Sequence, residues 1–314
     1  VLQGETSEEF IISAHCCHPS LANDNLSGIA VAIELAKQLQ KMERRYTYRF
    51  IFAPGTVGAI TWLAQHREIT PHIAGGLILA CVGDAGNPSY KQSRQGDTPI
   101  DRILEYVLAQ RDGEAKVIPF TPYGYDERQY CSPGFNLPIG CFMRSGPGGY
   151  PEYHSSADNL DLVQEDALVD SLQIVFNAIQ ILEGEATCTN LSPYGEPQLG
   201  RRGLYSAIGG CTDSKAMEMA LLWVLNYSDG EHSLLDIAAH SGLDFSLIRE
   251  GADALLDAGL LSSGSGQVVQ TIEPSAEVTV GEDGIPADEP DFWNDFMDGG
   301  EDLSHDDEVF RDFG

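Results

Sequence analysis

The segment that decides the fold is Phe10-Ile-Ile-Ser-Ala-His15-Cys-Cys-His-Pro-Ser-Leu-Ala-Asn-Asp24-Asn-Leu-Ser-Gly28. Its apolar start, Phe10 to Ala14, predicts a buried strand, and a polar loop with two histidines and an acid follows at once. The apolar stretch after Gly28 predicts a helix that begins directly behind this loop. Ligands of open α/β sheets bind at the carboxyl ends of the strands, so we expect His15 and Asp24 at a binding edge.

Apolar strand-like runs and amphipathic helix-like stretches alternate beyond this segment. This alternation predicts an α/β fold whose mainly parallel sheet is covered on both faces. The predicted strands are 49–53, 76–82 and 138–143, and the predicted helices are 28–42, 100–109 and 164–182.

Residue types that bind zinc occur at the predicted loops. His154 lies in Tyr150-Pro-Glu-Tyr-His-Ser-Ser-Ala-Asp158, and with His15 and Asp24 it supplies two imidazoles and a carboxylate, which suit a hydrolytic zinc centre. Asp84 follows a predicted strand and is a candidate further ligand. Each acid has a plainer explanation, because Asp24 can simply cap the following helix and Asp84 the following turn.

Composition narrows the class of protein. The chain has 314 residues, enough for one medium domain and a small one, and its net charge is -30. Seven cysteines, an odd number, favour a reducing compartment over a disulfide framework. No apolar run is long enough to span a bilayer, so we expect a cytoplasmic protein without membrane contact. Because a candidate ligand appears by position 15, we expect that the fold begins before Val1.

The pattern changes near residue 212. Helices at 217–227, 233–242 and 246–256, followed by a possible wing, predict a winged helix over residues 212–270. This region carries 9 acids and 2 bases, so we expect an interaction or packing module that binds no nucleic acid. Residues 271–314 carry 15 acids and one base and predict a disordered tail, whose aromatic residues either dock on a partner or are solvated.

Four segments, 15–28, 54–63, 124–134 and 150–158, together resemble a known family. The chain resembles bacterial aminopeptidase-like proteins of unknown function that end in a winged helix and are often labelled as polysaccharide-biosynthesis proteins. More distantly it is similar to the co-catalytic zinc aminopeptidases. This resemblance implies an aminopeptidase-like α/β domain at residues 1–211 with a mostly parallel mixed sheet.

The resemblance also implies roles for individual residues. His15 corresponds to the first zinc ligand, Asp24 to the bridging carboxylate, Asp84 to a further ligand and His154 to the last, for one or two zinc ions. Cys17 stands where the zinc enzymes have an aspartate that orients the first histidine. Two adjacent glutamates, a general base and a ligand, correspond to Gly55 and Thr56 here.

Other residues are candidates to replace the missing groups. Glu127 is a candidate catalytic base and His18 a candidate ligand, although Glu127 can instead pair with an arginine and His18 can be an ordinary loop histidine. Arg128 and Arg144 are candidates to bind a substrate carboxylate, and Tyr150 is a candidate to line the pocket.

Three functions remain open from the sequence. The favoured one is a zinc hydrolase of the aminopeptidase or amidohydrolase type, in which metal-activated water attacks a peptide or small amide. A metal-binding pseudoenzyme or interaction protein is the alternative, because Gly55 and Thr56 replace the glutamates. A DNA-binding regulator with a sensor domain is disfavoured by the acidic charge. A homo-oligomer is a possible assembly.

Overall fold

The computed structural model describes residues 1–204 and 214–264. Four neighbouring strands of the larger sheet run parallel, and two short strands extend the sheet on one side. The strands are β1 (Glu9–His15), β2 (Thr47–Ala53), β3 (Ile73–Leu79), β4 (Ser89–Lys91), β5 (Lys116–Ile118) and β6 (Ile139–Met143). Their order is β2-β1-β3-β6-β4-β5, with β4 antiparallel to β6. The predicted mostly parallel mixed sheet is therefore confirmed.

Helices connect these strands and cover the sheet. They are α1 (Gly28–Gln40), α2 (Val57–Gln65), α3 (Pro99–Ala109), the single turn α4 (Glu127–Tyr130) and α5 (Glu165–Gly184). Thr98 begins α3 with a capping box to Asp101, which satisfies two otherwise free backbone N–H groups. The central strands are apolar on both faces, and residues such as Ile11 and Ile78 are fully buried. Such strands are typical of parallel sheets covered on both sides.

A small winged-helix fold follows α5, as predicted. It consists of β7 (Thr187–Asn190), α6 (Ser214–Tyr227), β8 (Asp229–Ser233), α7 (Leu234–Ser241), α8 (Phe245–Asp257) and β9 (Leu261–Ser263). Its antiparallel sheet has the order β8-β7-β9 and begins at Thr187, before the predicted change near residue 212. The segment Thr187-Cys-Thr-Asn190 carries no apolar pattern that would mark it as a strand in the sequence. The predicted disordered tail lies outside the described residues.

The carboxyl end of α5 is held by side chains from both parts of the chain. Arg45, just before β2, donates hydrogen bonds to the carbonyl oxygens of Leu182 and Glu185 at 2.8 and 2.9 Å. Arg249 of α8 donates to the carbonyl oxygen of Gly184. The last carbonyls of a helix have no partner within the helix and carry partial negative charge, so two guanidinium groups stabilise this end.

Candidate metal centre

A single buried carboxylate, Asp24, lies among three imidazoles. His15 Nε2 is 2.7 Å from Asp24 Oδ1, and His154 Nε2 is 3.0 Å from Asp24 Oδ2. His18 Nδ1 is 3.7 Å from the same Oδ2. The Asp24 residue is only 1% exposed. The fold therefore brings four of the five candidate ligands to one place.

Three separate parts of the chain build this group. His15 is the last residue of β1, and Asp24 lies at a non-helical kink in the segment Ala22–Ser27, which leads into α1. His154 comes from the loop before α5 and has a positive φ of 57°. Residues other than glycine seldom adopt this conformation, and where it occurs the surrounding structure enforces it. The group lies at the carboxyl end of β1, in agreement with the rule for ligand sites in such sheets.

Asp158 holds the loop that carries Asp24. Its Oδ1 accepts a hydrogen bond from the Asn23 N–H at 2.6 Å, and its Oδ2 accepts from the Asp24 N–H at 3.1 Å. The Tyr150 hydroxyl donates to the same Oδ2 at 3.0 Å. Because Asp158 is four residues after His154, these bonds also join the His154 loop to the Asp24 loop. Asp158 therefore fixes the positions of the loops that carry Asp24 and His154.

The donor set suits a divalent cation. Among the described residues, His18, Asp24 and His154 each offer one ligand atom, and these atoms lie within 4.8 Å of one another. Asp24 Oδ2 and His18 Nδ1 are buried and have no hydrogen-bond partner. Burial opposes ionisation of Asp24, but the His15 hydrogen bond and the nearby imidazoles outweigh it and lower the pKa of Asp24. A carboxylate, two imidazoles and an open position are what a catalytic zinc ion requires.

Aromatic rings form the walls around the imidazoles. The Tyr125 ring stacks on His15 with 5.3 Å between centroids, and the Tyr153 ring stacks on His154 at 4.0 Å. Behind them the Tyr125 hydroxyl is 3.0 Å from the buried Cys81 Sγ. Burial raises the pKa of the Cys81 thiol to about 12, so this thiol stays protonated at neutral pH. These contacts fix the ring planes and exclude water from one side of the group.

The turn Gly55–Thr56 lies directly beside the group. The Gly55 N–H donates to Cys17 Sγ at 2.8 Å, and a Cβ on Gly55 would lie 2.5 Å from that sulfur and 3.5 Å from the Cβ of His15. The Thr56 N–H donates to Asp126 Oδ1. Burial raises the pKa of the Asp126 carboxyl, although the Thr56 hydrogen bond and His15 oppose this effect.

Asp84 and Glu127 are placed elsewhere. Asp84 Oδ1 accepts hydrogen bonds from Ser145 Oγ at 2.6 Å and from the Gly86 N–H at 2.7 Å, while its Oδ2 accepts from Asn23 Nδ2 at 2.8 Å. Both oxygens thus have partners within the fold. Glu127 is 0% exposed and forms an ion pair with Lys91 at 2.7 Å.

The two candidate substrate arginines have different surroundings. Arg144 donates to the Gly86 carbonyl oxygen at 2.8 Å and to Asp170 at 2.7 Å, so its donors serve the fold. Within residues 1–204 and 214–264, Arg128 donates a hydrogen bond to Thr56 Oγ1 at 3.2 Å, and its buried Nε has no hydrogen-bond partner. Arg128 is therefore the one of the two that has unused donors beside the group. Tyr150 is nearly buried, and its hydroxyl donates a hydrogen bond to Asp158.

Some residues of the site were not singled out from the sequence. Asp126 and Asp158 lie in the motifs that carry the resemblance, so their position was a usable signal. Tyr153, next to His154, is in the same motif. Cys81 lies within an apolar run and resembles any core residue, so no sequence signal distinguished it.

The third helix of the winged-helix fold, α8, carries little basic charge. α8 contains one basic residue, Arg249, which donates to Asp253 Oδ1 and Oδ2 at 3.0 Å as well as to the Gly184 carbonyl oxygen. The Arg249 guanidinium is thus engaged in hydrogen bonds within the fold. None of the helices in the described part of the chain is long and apolar enough to cross a membrane.

The chain matches two family models and one curated relative. Residues 1–185 match a domain of unknown function (DUF4910), and residues 186–263 match a winged helix-turn-helix family. A protein of Clostridium acetobutylicum, provisionally named a polysaccharide biosynthesis protein with aminopeptidase-like domain, is 48% identical over 260 residues. The match covers 83% of this chain and 60% of that relative, so the chain spans only part of the relative's length.

Solved structures agree with the fold. A crystal structure from Clostridium acetobutylicum, provisionally described as a peptidase, has 45% identity and a TM-score of 0.77, covering 84% of this chain and 59% of that one. A zinc aminopeptidase from Bacillus subtilis has 18% identity and a TM-score of 0.50, covering 57% of this chain and 47% of that one. At this identity the second likeness concerns the fold alone. The aminopeptidase-like fold predicted from the sequence is confirmed.

Proposed function

We propose that this chain, which residues 1–185 place in the family described as a domain of unknown function (DUF4910), is a zinc-dependent hydrolase of the aminopeptidase or amidohydrolase type. The proposal is made from the geometry of the chain's own site. One observation carries the proposal. Asp24, buried among His15, His18 and His154, has an oxygen without a hydrogen-bond partner, and His18 Nδ1 is likewise unpartnered. Leaving such polar atoms buried and unpaired costs free energy, which a bound cation offsets.

His18, Asp24 and His154 would hold the ion, with His15 fixing Asp24 or serving as a further ligand to a second ion. A bound zinc ion would supply Lewis acidity, polarising a substrate carbonyl and making water easier to deprotonate. The stacked rings of Tyr125 and Tyr153 keep His15 and His154 in position. Since Asp84 hydrogen-bonds within the fold, any role as a ligand would require those bonds to break.

The expected substrate is a peptide or a small amide. Arg128, with unused donors beside Thr56, would bind a substrate carboxylate or carbonyl oxygen, because a guanidinium offers a planar pair of donors to such groups. The relative's name associates that protein with polysaccharide biosynthesis, so amide-bearing sugar derivatives belong in the substrate panel as well.

We also propose that the winged helix binds no nucleic acid and that the protein works in the cytoplasm. The first proposal is supported by the internal hydrogen bonds of Arg249 and by the excess of acids over bases in residues 212–270. The second is supported by the six cysteines in the described residues, all of which are free. Free thiols are typical of reducing compartments.

The test is metal content combined with turnover. Purified protein, His154→Ala and Asp24→Asn would be loaded with zinc, dialysed and analysed for bound metal, and then assayed on aminoacyl anilides and simple acyl amides. The exposed His72 is far from the site in sequence and on another loop, so His72→Ala is the matched control. We expect stoichiometric zinc and turnover in the protein and the control, and loss of both in the other two variants.

The other outcomes separate the alternatives. Stoichiometric zinc without turnover on any substrate would favour the metal-binding pseudoenzyme, for which the absence of carboxylates at Gly55 and Thr56 is the supporting observation. No zinc in the unaltered protein would overturn the assignment of the site.

A further inference from the structure

The turn that corresponds to the missing glutamates has no space for a new side chain at Gly55. A Cβ there would meet Cys17 Sγ at 2.5 Å, well inside van der Waals contact. Thr56, its neighbour, has a positive φ of 64° and carries only a hydroxyl, which accepts from Arg128. Since neither residue can accept a proton from water, a proton acceptor has to come from another segment.

Asp126 is the carboxylate that reaches this turn. Its Oδ1 accepts the hydrogen bond of the Thr56 N–H, so the acid lies against the backbone position from which the glutamates would project. The residue is 3% exposed. Its charge acts on both His15 and Cys17, the two residues that Gly55 contacts. Asp126, Gly55 and His15 therefore form one continuous group.

Glu127, the adjacent acid, faces another way. Its Oε1 accepts from Lys91 Nζ at 2.7 Å, and the same ammonium donates to the Tyr123 carbonyl oxygen at 2.7 Å. A Cβ on Gly124 would lie 2.2 Å from Glu127 Oε1, so the loop closes tightly around this ion pair. The pair thereby anchors the loop of residues 123–128 and fixes where Asp126 lies.

We propose that Asp126 is the proton acceptor of the centre and that the Lys91–Glu127 pair is its positioning device. This inference rests on the proposed hydrolase function and assigns its base. Oδ2 of Asp126 would take a proton from water as the water oxygen forms a bond to the substrate carbonyl carbon. The same proton would pass to the amide nitrogen as the C–N bond breaks, giving a carboxylic acid and an amine and returning Asp126 to its starting state.

A purely structural role for Asp126 is the competing explanation. The carboxylate also holds the Thr56 turn, and a variant that lost this hydrogen bond would disturb the site without any effect on proton transfer. Asp126→Asn separates the two roles, because the amide oxygen still accepts from the Thr56 N–H but the side chain no longer takes a proton. Asp126→Glu retains the charge and serves as the conservative variant. Asp161→Asn, an exposed acid of the loop after Asp158, is the matched control.

The experiment measures binding of acetohydroxamic acid to the zinc-loaded protein by calorimetry, together with zinc content. A hydroxamic acid loses its O–H proton when it binds a metal through both oxygens, so a neighbouring carboxylate that accepts this proton strengthens binding. We expect Asp126→Asn to retain zinc but to bind the probe about 10- to 100-fold more weakly, the range expected for loss of a charged hydrogen-bond partner. Asp126→Glu is expected to recover part of this loss, and Asp161→Asn to match the unaltered protein.

Probe binding that is unchanged in Asp126→Asn would overturn the inference but not the proposed function, whether or not Glu127→Gln weakens binding. A structural role would instead remove zinc or stability together with probe binding, and that result would also overturn it. Absence of zinc from the unaltered protein would overturn the proposed function itself. If turnover is found, the acidic limb of the kcat/KM profile should disappear in Asp126→Asn.

Discussion

His154 Nε2 lies 3.0 Å from Asp24 Oδ2, yet that oxygen has no hydrogen-bond partner. The two atoms are close, but their directions do not suit a shared proton. His18 Nδ1 approaches the same oxygen to 3.7 Å and is unpartnered too. Groups that converge without bonding to one another are arranged around a common point, which is the geometry of ligands around an ion.

This geometry predicts that His18 contributes directly to metal affinity. His18→Ala should weaken zinc binding by more than the roughly 10- to 100-fold that is typical of residues that only orient a ligand. His72→Ala, at an exposed histidine, should leave the affinity unchanged. Competition with a chromogenic chelator would measure both. If both variants bind zinc equally well, His18 is an ordinary loop histidine.

Asp158 should be required for the stability of the centre. Its carboxylate accepts from the Asn23 and Asp24 N–H groups and from Tyr150, so Asp158→Asn would place an amide donor against other donors. We expect a loss of about 2 to 4 kcal/mol in the free energy of unfolding, measured by urea denaturation, and weaker zinc binding. Asp161→Asn, an equal change of charge at the surface, should alter neither quantity. A stable Asp158→Asn protein with normal zinc affinity would contradict this prediction.

The Lys91–Glu127 pair should behave as a buried ion pair. Replacing one member, as in Lys91→Met, leaves an unpaired buried charge and should cost about 3 to 5 kcal/mol of unfolding free energy. The double replacement Lys91→Met with Glu127→Leu should restore much of this loss, because no unpaired charge remains. Urea denaturation of both single variants and the double variant gives the coupling energy. Additive losses would show that the two charges do not depend on each other.

Glu185 should make stability depend on pH. Burial raises the pKa of this carboxyl from 4.5 to about 7, against the opposing hydrogen bonds from Ser233 and the Leu235 N–H. The folded protein therefore binds a proton more readily than the unfolded chain, and stability should fall as pH rises from about 4.5 to about 7. The expected fall is about 1 to 3 kcal/mol.

Glu185→Gln should remove this contribution, so its unfolding free energy should change less between pH 5 and pH 8 than that of the unaltered protein. Glu68→Gln, at an exposed acid, is the control and should retain the original pH dependence. Thermal unfolding at both pH values measures the effect. Identical pH dependence in all three proteins would mean that Glu185 titrates normally in the folded state.

The main elements of the fold were predictable because the apolar pattern of buried parallel strands is strong. β1 ends at His15, one residue beyond the predicted strand, and α1 begins at Gly28, the end of the quoted segment. The grouping of His15, Asp24 and His154 also followed, since residues at the carboxyl ends of parallel strands meet at one edge. The short strand β7 was not predicted because its four residues carry no periodic pattern.

The sequence did not show which of two neighbouring acids, Asp126 or Glu127, would lie beside the candidate metal centre. Asp126 and Glu127 are adjacent, and α4 begins at Glu127, so a difference of one position sends the two carboxylates to different surroundings. The sequence also did not determine where the Asp84 side chain lies. Asp84 comes five residues after β3 ends, so its position depends on the path of the loop between them. Such details are set by tertiary contacts rather than by local pattern.

The carboxyl end of α5 has a consequence for how the protein unfolds. Arg45 precedes α5 in the sequence and Arg249 follows it. Both donate hydrogen bonds to the carbonyl groups at the end of this helix. Separating the winged helix from the larger sheet would remove Arg249 from the Gly184 carbonyl and leave Arg45 in place at this helix end. The two folds should therefore melt in a single cooperative transition, and a fragment that stops at residue 185 should lose stability even though its own sheet is complete.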